Sequence, residues 1–241
     1  MMYFPSGVAV KILSVGFHSL LADLIWLRFI QYYGEHRMTD ARFDLMYHIL
    51  DIMTTLDPYF LHPYNLGSLM LTHDAKRPDQ AKRLIKKGIA VFPDEWRIYF
   101  MYGFIHYIFL GEYRIAQAYF RLAGQMPKAP DLPKRWAAFI LQKKLKDLKT
   151  ALALWIDLYN NTKDPEEAKI AKIHIDEIYM ELTIEFLNKR VAEFTKKIER
   201  SPYHLGELIK VGLIDSIPAE PHNGIYYLKD GKVYSNWQTR K

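Results

Sequence analysis

Nine histidines and a scatter of carboxylates are the groups best suited to chemistry in this 241-residue chain. Their spacing assembles no recognisable centre. There is no H-E-x-x-H, and no E-x-x-H pair of the kind that builds a di-iron site in a helical bundle. His174 and Glu177 stand at i,i+3, but two ligands do not close a metal site, so a solvent-facing or capping role is expected. His18 and Asp23 are placed to hydrogen-bond buried groups, and Asp23 beside Trp26 reads as a polar contact fixing helix register. The chain has no cysteine, which excludes disulfides, thiolate metal sites and cysteine nucleophiles. Nucleophile-elbow, Walker and G-x-G-x-x-G signatures are absent. Asn160-Asn161-Thr162 is a formal glycosylation acceptor. The expectation is a protein without catalytic, metal or cofactor residues; the remaining catalytic alternative is an all-helical enzyme built from scattered His and Glu.

The elements that must position these residues follow from composition and periodicity. Half of the residues are hydrophobic and 15% aromatic, enough for a packed core and far too many for a disordered chain. The net charge of +6 is modest for a nucleic-acid binder. The densest basic run, Lys143, Lys144, Lys146 and Lys149, reads as a solvated helix face, with a site for anionic lipid, nucleic acid or an acidic partner as the alternative.

Ala81, Ala116 and Ala151 stand 35 residues apart, each followed four positions on by a bulky residue: Ile85, Phe120, Trp155. Seven positions on come Gly88, Ala123 and Leu158, and the register extends back to Met46, Leu50 and Met53. Gly67, Gly103 and Ala138 repeat as a small residue in the preceding helices, where close approach of paired helices needs one. A period in the thirties marks helical hairpins too small to bury their own apolar faces, which must stack on neighbours.

Helices are therefore expected over 19–33, closed by Gly34, and over 40–56, capped by Thr39 or Asp40. Further pairs are expected at 59–73 with 78–92, 96–110 with 113–125, and 132–145 with 148–161, Gly111 being the hinge of the third. A long helix from Glu166 to about Arg200 reads as a cap, followed by a short helix over 205–211. Asp230-Gly231 between Ile225–Leu228 and Val233–Ser235 is a strong β-hairpin signal. The resulting segments are 1–18, an apolar N-terminus; 19–164, the repeats, divided at about 57, 92 and 130; 165–214, capping helices; and 215–241, the hairpin tail. From Val8 to Ile30 the chain is markedly apolar, but Lys11, His18, Asp23 and Arg28 interrupt it. It reads as one or two buried or interfacial helices, neither a cleaved signal nor a spanning segment.

The A-F-A positions Ala116, Phe120 and Ala123, their approximation at Ala81, Ile85 and Gly88, the small residues Gly67 and Gly103 and the prolines Pro58, Pro93 and Pro127 resemble the tetratricopeptide repeat family. Pro63 stands near the place of the family's tryptophan, and the last unit lacks a closing proline. Leu21–Trp26 and Gln31–Gly34, followed by the repeats and tail, resemble bacterial envelope-associated members. The resemblance implies an all-α fold, a right-handed α-α superhelix of hairpins with a long C-terminal capping helix and a small β-hairpin. It implies a non-catalytic scaffold binding a peptide or protein partner, at the membrane or cell envelope, with a location in the cytoplasm or on the membrane. First helices line the groove in that family, so Tyr64, Ser68, Arg97, Tyr99 and His106 are the implied partner-binding positions. The N-terminal apolar segment adds a membrane surface as a second contact. No small-molecule substrate is expected. A helical-repeat nucleic-acid binder is the alternative function. The aromatic crowd from Trp96 to Phe109 reads mostly as core.

Overall fold

The computed structural model describes residues 6–237. The chain forms two compact units, divided between Ile140 and Leu141. The first contains α1 (Gly7–Leu13), α2 (His18–Met38), α3 (Met46–Leu56), α4 (Leu61–His73), α5 (Pro78–Val91), α6 (Trp96–Ile105), α7 (Tyr113–Gly124) and α8 (Leu132–Ile140). The second contains α9 (Leu148–Asn161), α10 (Pro165–Ile198), α11 (Gly206–Lys210), β1 (Tyr226–Lys229) and β2 (Lys232–Ser235). Two short π-helical turns, π1 (His106–Leu110) and π2 (Leu141–Leu145), complete the described elements.

The 35-residue period is present in the backbone as well as in the side chains. Ala41, Lys76, Gly111 and Lys146 occupy the left-handed region, at φ 53, 56, 67 and 57. Six-residue hydrogen bonds close the last three of these turns: Arg77 N–H to Leu71 O at 2.8 Å, Glu112 N–H to His106 O at 3.0 Å, and Asp147 N–H to Leu141 O at 3.0 Å. A left-handed residue with a wide loop-closing bond is how a helix stops while satisfying its last carbonyls. Each such turn delivers the chain to its next N-cap; at Asp147 the carboxylate also accepts from the Thr150 N–H at 3.2 Å.

Side chains keep the same register. Met46, Ala81, Ala116 and Ala151 are buried, as are Leu50, Ile85, Phe120 and Trp155 and, a turn later, Met53, Gly88, Ala123 and Leu158. Gly67 lies so close to Leu50 that a Cβ would stand 2.5 Å from Cδ2, and a Cβ on Gly103 would stand 3.0 Å from the Phe120 ring. The small residues therefore set the approach of first and second helices. In the first unit α4 packs on α6 and α3 on α5, so first helices neighbour first helices and second helices neighbour second. Lys87 of α5 reinforces this contact, donating to the Asp51 carboxylate at 2.7 Å and to Thr55 Oγ1 at 2.9 Å on α3.

Several boundaries depart from expectation. Helix α2 passes through Gly34 and ends at Met38, because the hairpin closes at the left-handed Ala41, 35 residues before Lys76. Helix α3 starts at Met46, not Asp40: the Asp40 carboxylate accepts from the Arg42 N–H at 3.0 Å and holds that stretch in a turn. The helices of the third and fourth pairs end in π1 and π2 rather than continuing as α-helix. Asp23 is exposed and does not fix a buried register.

In the second unit α10 packs along α9, and β2 lies on α10. The strands pair antiparallel with Lys229 opposite Lys232, joined by Asp230 and Gly231, both at positive φ. That is the backbone an Asp-Gly turn provides. Asn188 of α10 accepts from the Val233 N–H at 2.8 Å. The buried Glu220 organises the preceding loop, accepting from the N–H groups of His222 and Gly224 and from the Ser235 hydroxyl.

The repeated turn gives a test. Lysine in the left-handed region costs about 1 kcal/mol that glycine avoids. Lys76→Gly and Lys146→Gly should each stabilise by about 0.5–1 kcal/mol, and Gly111→Ala should destabilise by about as much. Urea unfolding of the three variants measures this; shifts of one sign in all three would contradict the shared turn.

Candidate functional site

The first helices of the first unit are apolar on more than one side, and they leave a concave surface. Tyr33 and Arg37 of α2, Leu66, Leu69, Met70 and His73 of α4, Asp74 just beyond it, Phe104 of α6 and Ile108 and Phe109 of π1 enclose a groove of about 410 Å³. Three pairs of these residues, Leu69 with Phe104, His73 with Ile108 and Asp74 with Phe109, are 35 positions apart. Equivalent positions of successive hairpins thus build its walls. Leu66 and Ile108 are 40% and 49% exposed, so they stand ready for contact without being part of the core.

The rim is polar and ordered. Tyr33 donates its hydroxyl hydrogen to Asp74 Oδ2 at 3.0 Å, and Arg37 donates to the Tyr33 oxygen at 3.1 Å. His73 meets the other Asp74 oxygen at 3.0 Å. Burial and the Asp74 carboxylate raise the Tyr33 pKa, so the phenol keeps its proton as donor. Arg37 is the one Lys or Arg in the lining.

The sequence-derived positions fall on the same helices but largely on their inner faces. Tyr64 and Ser68 are fully buried. Tyr64 donates to Pro58 O at 3.2 Å, and burial pushes its pKa up to about 12. His106 is buried beside Tyr102, with Nδ1 paired to Glu112, and burial pushes its imidazole pKa down. These three present no surface to a partner. Arg97 is exposed and hydrogen-bonded to Glu95 at 3.0 Å, and Tyr99 is half-buried against Tyr119; neither lines the groove. The residues missed, among them Leu66, Met70 and Ile108, carry no stripe that singles out a face. Projecting the 35-residue period across α4 and α6 would have paired Leu69 with Phe104 and His73 with Ile108.

The second unit holds a buried polar cluster. Trp155 donates its indole hydrogen to Gln142 Oε1 at 3.1 Å, and Gln142 donates to Glu177 Oε2 at 3.2 Å. Lys143 reaches the same carboxylate oxygen at 2.7 Å. His174 lies 3.4 Å from it and stacks on Trp155 at 4.2 Å between ring centroids. The expected solvent or capping role of His174 and Glu177 is therefore replaced by a structural one. The turn π2 makes this geometry, bringing Gln142 and Lys143 together onto one carboxylate. The His174 imidazole beside it first, then the Lys143 ammonium, hold the Glu177 carboxyl well below the usual range against the opposing effect of burial. A shallower hollow of about 510 Å³ in this unit mixes Glu181, Glu185 and Lys232 with Ile184 and Tyr234. Among the described residues no three His, Asp or Glu converge as metal ligands.

Compared with family models, with curated proteins and with solved structures, the chain matches none.

Trp155→Ala should cost about 3–5 kcal/mol, since the ring is fully buried, whereas Lys144→Ala, on an exposed side chain, should change stability by no more than about 0.5 kcal/mol. Thermal melts compare them, and equal small shifts would contradict the packing. The stabilisation from Glu177 is complete above the ordinary glutamate pKa of about 4.3 and is lost as pH falls toward its depressed folded value. Glu177→Gln should lose about 1–3 kcal/mol at neutral pH and show a shallower acid limb in urea unfolding between about pH 5 and pH 3.

Proposed function

We propose that this protein is a non-catalytic docking scaffold of the tetratricopeptide kind, its hairpins stacked as a right-handed superhelix. In this reading the groove on α2, α4, α6 and π1 receives an apolar segment of a protein partner. The observation that carries it is the construction of the groove: equivalent positions of successive first helices, 35 residues apart, form an apolar concavity with an ordered polar rim. Docking grooves draw affinity from a few apolar anchors on a preorganised surface. Leu66, Met70, Phe104 and Ile108 supply such a surface, and the hydrogen-bonded Arg37–Tyr33–Asp74 chain fixes its edge. A single arginine in the lining gives a nucleic-acid backbone little to bind, since such binding rests on several phosphate contacts.

A photo-crosslinking amino acid at Ile108, in cells of the source organism, tests the reading. A discrete protein adduct is expected at this position and none when the same group replaces the exposed Lys144. In the purified complex, Ile108→Asp should weaken binding about tenfold or more, about 1.4 kcal/mol, with an unchanged melting temperature. Undiminished binding, or adducts to RNA alone, would contradict it.

A further inference from the structure

The α1–α2 corner is built with its apolar side chains turned outward. Leu13, Val15 and Phe17 are 73%, 81% and 69% exposed, and Ile12 with them. On α2 the stripe continues through Leu20, Leu24 and Leu27, all exposed, at helical spacing on one face. The corner is nonetheless held in place. Gly7 packs so closely on α3 that a Cβ would stand 2.9 Å from the Thr55 Cβ, and Val10 packs with Ala22, Ile52 and Leu56. The Ser14 hydroxyl donates to Lys11 O at 2.7 Å and is hydrogen-bonded to His18. The inner faces of both helices are thus satisfied by the fold, and the outer apolar face is surplus to it.

We propose that this corner rests in the interfacial layer of a lipid bilayer bearing anionic headgroups. Two features point to lipid. The outward side chains are aliphatic apart from Phe17, while Trp26 and Tyr32 of α2 are turned toward the core. Leu and Phe are side chains that an interfacial helix sinks into the acyl boundary. Charge complements an anionic surface. Lys11 and Arg28 are both exposed, against a single carboxylate, the exposed Asp23, from residue 6 to residue 34. A lysine beside an apolar face buries its stem and keeps its ammonium at headgroup level. No described helix is long and apolar enough to cross a membrane; in this proposal the corner lies on the bilayer, with its outward side chains at the acyl boundary.

Flotation of the full chain with vesicles of phosphatidylcholine, with and without phosphatidylglycerol, tests it. The protein should float with both and more strongly with the anionic ones. The double variant Leu13→Asp with Phe17→Asp removes only exposed side chains and should keep the same melting temperature while its partition falls about tenfold or more. Lys11→Glu should abolish the preference for phosphatidylglycerol. Failure of the unaltered protein to float, or equal flotation of the double variant, would overturn the proposal. So would a lipid-free dimer that the double variant dissolves, which assigns the face to a second copy. An unchanged preference in Lys11→Glu would overturn the anionic requirement.

Discussion

The way each first helix is stopped governs the rest of this structure. A helix leaves its last carbonyls without partners, and a chain that must reverse has to satisfy them in the turn. Here one residue in the left-handed region does so at Ala41, Lys76, Gly111 and Lys146, and a six-residue hydrogen bond closes the last three of these turns. Only one of the four is glycine, so conformational cost is accepted at the other three. What offsets it is packing: the turn fixes the phase at which the second helix begins, and that phase points Leu50, Ile85, Phe120 and Trp155 inward at matching positions.

Phase in turn sets distance. With the bulky residue of each second helix fixed, the first helix approaches it only where a side chain is missing, and Gly67 against Leu50 and Gly103 against Phe120 are those places. Close approach within hairpins leaves the outer faces of α4 and α6 side by side, and the groove is the space between their equivalent residues. The π turns belong to the same solution. Each shifts the end of a first helix so that its last side chains point differently from those of an unbroken α-helix. In the second unit this places Gln142 and Lys143 on Glu177.

What the sequence made legible was whatever a side chain must do in every copy. Alanine at 81, 116 and 151, the bulky residue four on, and the Asp230-Gly231 turn are local demands written in residue type. Among the four repeat turns the geometry was legible only at Gly111, because lysine and alanine give no sign of a left-handed backbone, although the same period leads from Gly111 to Lys76 and Ala41. Gly34 misled for the converse reason: a glycine inside a helix need not end it. The groove was hidden because α4 and α6 carry apolar residues on both their inner and their outer faces, so composition cannot tell Tyr64, which faces the core, from Leu66, which faces the groove. The Gln142–Glu177 contact joins residues 35 apart through a π turn, a geometry without a sequence signature.

The central claim is that successive first helices lie alongside one another and present a common face. The chain has no cysteine, so nitroxide labels placed at L66C and I108C report this arrangement alone. Helices packed side by side have axes about 8–10 Å apart, and electron spin resonance should accordingly show a short, narrow distribution of label distances. A broad distribution, or labels too far apart to interact, would contradict the account.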